Sequence, residues 1–224
     1  IKISWNGATK ETHEKIMRGS KWENVTENLK TFLNVRDNYF HNTGKTCSVT
    51  LQLTFLETNL PEIYDLTKMA IELGIDRIKG HHLWAHFEEI KHLSMRRSPE
   101  AIKRWNSEVE KIYELKDKML LPNGKKIKLE NFTILNVDAT EDLAPGGACP
   151  FLGKEAWINP EGKFSPCCAP DELRKQLGNF GNVNETKLEK IWQGTMYKNL
   201  QKNYLNYNLC KTCNMRKPLV NQVN

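Results

Sequence analysis

An alternation of strand and helix patterns runs through the first 143 residues, and it restricts this part of the chain to a parallel β/α fold. Strands are predicted at residues 1–7, 48–55, 75–79 and 127–137, and helices at residues 21–37, 59–73 and 98–119. The pattern is clearest at residues 48–55, where apolar and polar side chains alternate. Because a parallel pair needs a helical crossover, strand and helix in turn indicate consecutive β/α units.

Three residue patterns predict where these helices begin. Ser20 with Glu23, and Asn59 with Glu62, have the spacing that starts a helix. Ser98 followed by proline has the pattern of an N-cap and first helical residue.

Polar residues at the carboxyl ends of the strands are the first candidates for a binding site, because parallel β/α folds bind ligands there. They are Ser4, Asn6, Gln52, Lys79, His81 and His82. His81 and His82 follow a predicted strand end together with Trp84, so both are expected to face a substrate cavity and to act on substrate hydroxyls or protons. The alternative is a loop pair with one buried and one solvated histidine.

The charge and hydropathy of the chain exclude two classes of partner. The net charge of +6 comes from 33 basic and 27 acidic residues. These are interleaved, as in residues 108–118, which is typical of solvated helix faces and not of a nucleic-acid-binding surface. The sequence contains no apolar run of about 20 residues and no signal-peptide pattern, so a cytoplasmic protein without membrane contact is expected.

Cysteines dominate the last third of the chain. Five of the six lie there, and Cys47 stands alone. A hairpin is predicted around the turn at residues 159–162, with Cys149 before it and Cys167 and Cys168 after it; Cys210 and Cys213 form a Cys-x-x-Cys pair. Four thiolates suit either zinc or an iron–sulfur cluster. The Pro/Gly cluster at residues 144–147 predicts the boundary between domains 1–143 and 144–224.

The cysteine-rich segment resembles the C-terminal extension of radical SAM enzymes, called SPASM or, with one auxiliary cluster, twitch. The residues that carry the resemblance are Cys149-Pro150, Trp157-Ile158, Gly162, Cys167, Gly181-Asn182-Val183, Leu188, Ile191-Trp192, Cys210 and Cys213. The cysteine series stops at Cys213, so the resemblance is to the twitch form. It implies one auxiliary [4Fe-4S] cluster bound by Cys149, Cys167, Cys210 and Cys213, and it leaves Cys168 spare.

Residues 3–19 resemble the fourth strand and following helix of the radical SAM barrel, with Asn6 where the family usually has Asp. The implied fold is α/β: the C-terminal portion of a partial (β/α)6 barrel followed by a small twitch/SPASM domain with a hairpin and a helix. The resemblance implies that Ser4 and Arg18, and also Asn6 and Gln52, bind S-adenosylmethionine. Arg18 suits its carboxylate because a guanidinium donates two parallel hydrogen bonds.

The family's Cys-x-x-x-Cys-x-x-Cys loop, which holds the catalytic cluster, does not occur in these 224 residues. We expect roughly a hundred further N-terminal residues to hold it with the second [4Fe-4S] cluster, at the usual β/α spacing. The chain alone is then expected to be inactive. The alternative is a degenerate, non-catalytic relative.

The resemblance implies hydrogen-atom abstraction by a 5′-deoxyadenosyl radical, with an electron donor such as flavodoxin or ferredoxin. The auxiliary cluster would support oxidation or epimerisation of a small, sugar-like substrate. In epimerisation Cys168 or Cys47 is a candidate hydrogen donor, the alternative being an inert thiol. Two other functions stay open: a peptide-modifying enzyme, and a zinc-binding module without catalysis.

Overall fold

The computed structural model describes residues 1–85, 87–138, 147–213 and 215–216. Its contacts divide the chain into two compact units, Ile1–Glu141 and Asp142–Asn224. The predicted boundary segment at residues 144–147 lies, except for Gly147, outside the described residues.

The first unit contains a four-stranded parallel sheet with the strands in sequence order. Its strands are β1 (Lys2–Ser4), β2 (Thr50–Phe55), β3 (Arg77–His82) and β4 (Lys128–Glu130). Each strand pairs with the next in parallel register. The predicted α/β class with consecutive parallel strands is therefore confirmed.

Helices connect the strands of this sheet. They are α1 (Lys10–Ile16), α2 (Trp22–Thr43), α3 (Ile63–Glu72) and α4 (Pro99–Lys118), with 3-10 helices at Leu60–Glu62 and Glu88–Leu93. The helix predicted over residues 21–37 was too short at its C-terminal end. The corresponding helix, α2, continues to Thr43 and is capped by Gly44 in the left-handed conformation. The predicted strand over residues 127–137 was too long, because only Lys128–Glu130 pairs with β3.

Two of the three predicted helix starts were wrong in detail. Lys21 precedes α2 without a side-chain cap, while the Ser20 hydroxyl lies 3.2 Å from Nε2 of His13. Glu62 does not cap its own helix; its carboxylate accepts hydrogen bonds from the amides of Ala8 and Thr9. Burial opposes ionisation of Glu62, but these bonds and those from threonine hydroxyls outweigh it, so its pKa lies below its usual value.

Apolar side chains between the sheet and its helices form the core of the first unit. Leu51, Leu53 and Ile78 from the strands are at most 2 % exposed. Phe55 lies across Gly80 of the neighbouring strand, so closely that a Cβ on Gly80 would be 1.8 Å from the ring. A glycine is therefore required at this position of β3.

The second unit contains the hairpin β5 (Trp157–Ile158) and β6 (Phe164–Ser165), which pair in antiparallel register. Its helices are α5 (Asp171–Arg174), α6 (Leu188–Gln193), α7 (Thr195–Asn203) and α8 (Asn208–Lys211), with 3-10 helices at Lys175–Leu177 and Tyr204–Asn206. Phe164 and Tyr197 are nearly inaccessible and their ring centroids lie 5.4 Å apart. This small aromatic core supports the hairpin.

The segment after the hairpin explains the Gly181-Asn182-Val183 pattern. The Val183 amide donates to the Gly162 carbonyl at 2.8 Å, and the Asn182 side chain donates to the Glu161 carbonyl at 2.8 Å. Phe164 in turn donates its amide to the Gly181 carbonyl at 3.0 Å. These bonds hold the chain that comes after Cys168 against the hairpin.

Candidate functional site

The cysteines of the second unit lie on either side of the hairpin and at α8. Cys149 precedes the hairpin and Cys167 with Cys168 follows β6. Cys210 lies within α8, and Cys213 follows that helix and is 9 % exposed. All five are free thiols.

The four predicted ligands lie within electrostatic range of one another. Burial, followed by the neighbouring Cys167 and Cys149 thiolates, raises the pKa of Cys210 to about 12. Burial also raises the pKa of Cys213 to about 11, with Cys167 and Cys149 adding to the shift. Thiolates that repel one another in this way are neutralised when cationic iron binds them, so the donor set suits an iron–sulfur cluster.

Hydrogen bonds distinguish Cys167 from Cys168. A hydrogen bond between the two thiols couples them, lowering the pKa of Cys167 and, together with burial, raising the pKa of Cys168. Sγ of Cys167 also accepts the backbone N–H of Ala169 at 3.4 Å. The Ala169 amide thus gives the Cys167 sulfur a donor that would stabilise a thiolate, the form that binds metal.

Two arginines that sequence reasoning missed hold the backbone around the thiols. Arg174 donates to the Cys167 carbonyl at 3.4 Å. Nε of Arg216 donates to the Gly147 carbonyl at 2.6 Å, which joins the chain beyond Cys213 to the chain before Cys149. The only signal in the sequence was a basic residue three positions after the Cys-x-x-Cys pair.

Within the described residues, no three histidine, cysteine or acidic side chains lie close enough together to bind a single metal ion. Cys168 is exposed beside Cys167, whereas Cys47 is exposed in the first unit.

A row of polar side chains crosses one face of the parallel sheet. The register places Ser4 beside Gln52, and Gln52 beside Lys79. The row ends at Glu130, whose carboxylate lies 3.4 Å from the Lys79 ammonium and 2.7 Å from the Arg77 guanidinium. Sequence reasoning missed Glu130, because only the pairing of β4 with β3 brings it beside Lys79.

The other predicted cofactor residues are Asn6 and Arg18. Asn6 is 7 % exposed, and its side chain accepts from the Thr54 amide at 2.8 Å and contacts Sδ of Met17 at 3.0 Å. These contacts give Asn6 a structural role between β2 and the end of α1. Arg18 is exposed just beyond α1.

The prediction that His81 and His82 follow the strand and face one cavity was wrong, because both lie within β3 and successive strand residues point to opposite faces. His81 shares the polar face with Lys79, and burial, followed by that lysine, lowers its pKa. His82 contacts the aromatic core, with ring centroids 5.1 Å from Phe55 and 4.8 Å from Trp105.

The C-terminal match identifies this cysteine arrangement. Residues 149–214 match the family model of SPASM, described as an iron–sulfur cluster-binding domain. This segment is a SPASM domain. The matched residues include all five cysteines of the second unit, and the predicted iron–sulfur cofactor is confirmed as a class.

Two solved structures of Streptococcus suis SuiB share the fold of the chain. SuiB bound to the precursor peptide SuiA is 14 % identical with a TM-score of 0.57, covering 96 % of this chain and 48 % of that one. SuiB alone is 16 % identical with a TM-score of 0.56, covering 96 % and 50 %. No match was found among curated proteins.

The family match confirms the predicted SPASM segment, and the two SuiB structures confirm the predicted α/β fold. The chain spans about half the length of the SuiB structures it matches. None of the described helices is both long and apolar enough to cross a bilayer.

Proposed function

We propose that this chain is part of a cytoplasmic radical SAM enzyme and that its SPASM domain holds an auxiliary [4Fe-4S] cluster. The ligands proposed are Cys149, Cys167, Cys210 and Cys213. The observation that carries this proposal is the SPASM match over residues 149–214, the segment that contains all four thiols. Residues 1–143 would form the later part of the barrel and residues 144–224 the auxiliary domain.

The polar face of the sheet is the proposed place of hydrogen-atom abstraction. A second [4Fe-4S] cluster with S-adenosylmethionine would supply the 5′-deoxyadenosyl radical. Ser4 and Gln52 stand side by side on this face and would bind S-adenosylmethionine, with Arg18 pairing its carboxylate. His81 lies in the same strand as Lys79, and its lowered pKa favours the neutral imidazole, which both accepts and donates a proton.

Oxidation and epimerisation of a small substrate share the abstraction step and differ in the fate of the substrate radical. In epimerisation, the exposed Cys168 thiol would return a hydrogen atom to the substrate radical, and the resulting thiyl radical would take one electron and one proton. In oxidation, the substrate radical would lose its electron to the auxiliary cluster and a proton to a base. An electron donor such as flavodoxin or ferredoxin would supply the electrons that epimerisation consumes.

Peptide modification is the second candidate function. The observation that favours it is the similarity in fold to SuiB in complex with the precursor peptide SuiA. The substrate would then be a peptide, and the same polar sheet face would receive one of its side chains.

Metal analysis tests the proposed cofactor. The chain, purified without oxygen and supplied with iron and sulfide, should contain about four irons and be brown with broad visible absorption. A Cys47→Ala variant serves as the control and should bind the same amount of iron. A colourless protein with one zinc per chain would instead support the zinc-binding module.

Deuterium incorporation distinguishes the two courses in the complete enzyme. Epimerisation in deuterated solvent should place one deuterium at the inverted carbon, because the donor thiol exchanges with solvent. A Cys168→Ala variant should lose this product. Unchanged epimerisation by that variant would eliminate Cys168 as the donor, and an oxidised product without deuterium would establish the other course.

A further inference from the structure

A cavity of about 250 Å³ lies beside the hairpin of the second unit. Its wall includes Lys163 from the hairpin, and Arg174 and Lys175 from the chain that comes after Cys168. Asp171 supplies the only carboxylate among the described lining residues. The lining therefore carries an excess of two positive charges.

The arginine and the lysines of this cavity differ in what they offer a ligand. The guanidinium of Arg174 forms an ion pair with Asp171 and also donates to the Cys167 carbonyl. Lys163 and Lys175 are exposed, and neither forms an ion pair among the described residues. The two ammonium groups are thus the charges that remain for a ligand.

Two aromatic rings form the apolar part of the wall. Phe164 is 2 % exposed, and its ring meets that of Phe180 edge to face with centroids 6.1 Å apart. An apolar wall lowers the local dielectric, so an anion is attracted more strongly here than on an open surface. The cavity has the volume of a small ligand or a side chain, not of a protein surface.

We propose that this cavity binds a carboxylate group of the substrate through Lys163 and Lys175. Because Asp171 already occupies the fork of Arg174, the contacts to the ligand come from the two ammonium groups, each of which can donate to a carboxylate oxygen. The carboxylate belongs to an acidic peptide side chain or to a free small acid. The assignment of this group to the substrate rests on the proposed function.

The cavity lies next to Cys167, one of the proposed cluster ligands. Arg174 and Ser165 both line the cavity, and both donate hydrogen bonds to the carbonyl of Cys167. The distance from the Ser165 hydroxyl to that carbonyl is 3.2 Å. A carboxylate held here would fix one end of the substrate in the same short segment that holds the auxiliary cluster.

Calorimetric titration of the iron-loaded 224-residue chain tests the site with four probes. A capped tripeptide with central glutamate should bind at least tenfold more tightly than the same peptide with glutamine. Acetate distinguishes the source: weaker binding of acetate than of the peptide assigns a peptide side chain, and equal binding assigns a free small acid. Inorganic phosphate binding more tightly than either would overturn the carboxylate assignment.

A pair of charge-matched double variants provides the control. Lys163→Gln with Lys175→Gln should weaken peptide binding at least tenfold, whereas Lys187→Gln with Lys202→Gln, both exposed and outside the cavity, should change it less than twofold. Equal losses would reduce the effect to net charge and overturn the site. If the wild-type chain bound no iron, the proposed function would be overturned instead. Measuring the iron content of the wild type and of each variant separates the two failures.

Discussion

His82 carries an imidazole whose two nitrogens are buried, with no hydrogen-bond partner among the described residues. Part of the residue reaches the surface, but the ring lies between Phe55 and Trp105. Burial, followed by the positive charge of Arg96, lowers the pKa of His82 to about 3. A buried polar atom without a partner is costly, so His82 reduces the stability of the first unit.

Replacement of His82 by phenylalanine should make the protein less sensitive to acid. Between pH 6.5, where an unfolded histidine titrates, and the folded pKa of about 3, the unfolded wild-type chain binds a proton that the folded chain does not. Wild-type stability should therefore fall relative to His82→Phe by about 1.4 kcal/mol per pH unit as the pH decreases through this range. Urea unfolding at several pH values measures the difference.

His92→Phe is the matched control, because His92 is exposed. Because this variant retains His82, its unfolding free energy should still fall steeply as the pH decreases. If the His82→Phe curve of unfolding free energy against pH ran parallel to that of the wild type, the imidazole would be solvated and the prediction wrong.

Gly80 shows how a single small residue permits a large one beside it. A Gly80→Ala variant must displace the Phe55 ring, which is central to the core, and should lose about 1–3 kcal/mol of unfolding free energy. In a Phe55→Leu background the same substitution should cost less, because the clashing ring atoms are gone. Chemical unfolding of the four proteins gives this coupling, and equal costs in both backgrounds would contradict it.

At the scale of elements, local patterns predicted helices better than their ends. The Ser98-Pro99 start of α4 can be inferred from the chain alone, and its Ser98 hydroxyl accepts the Ala101 amide at 3.2 Å. Ser20 instead contacts His13, and Glu62 binds the start of α1, more than fifty residues earlier in the chain. These partners come together only in the folded molecule, so their contacts could not be inferred from spacing.

Ser98→Ala should destabilise α4 because it removes the hydroxyl that accepts the Ala101 amide and leaves that amide without its side-chain cap. The expected loss is about 1 kcal/mol in unfolding free energy, measured by thermal or urea unfolding. Ser107→Ala is the control in the same helix: this residue is exposed within the helix, where alanine is the better helix former, so stability should be unchanged or slightly higher. Equal losses in both variants would contradict the capping role.

The strand predicted over residues 75–79 stops before the end of β3. The difference begins at Gly80, a residue type that ordinarily weakens a strand. In the sheet, Gly80 instead makes room for Phe55, and pairing continues through His82. This extension separates the two histidines onto opposite faces, which the sequence pattern alone did not reveal.

At the scale of the whole molecule, the cysteine spacing predicted the SPASM segment because the hairpin turn and the Cys-x-x-Cys pair are local features. The supporting contacts of Arg216 and the position of Glu130 depend on residues distant in sequence. The choice of Cys167 over the adjacent Cys168 came from the resemblance, and the folded unit adds the Ala169 amide that donates to the Cys167 sulfur.

Iron content and spectra of cysteine variants test that choice directly. Cys167→Ala should reduce bound iron well below about four per chain and weaken the visible absorption, because one cluster ligand is lost. Cys168→Ala should retain the iron, as should Cys47→Ala in the other unit. If Cys168→Ala lost the cluster while Cys167→Ala kept it, the ligand assignment would be reversed; Cys167 would then be the spare thiol and the proposed hydrogen donor.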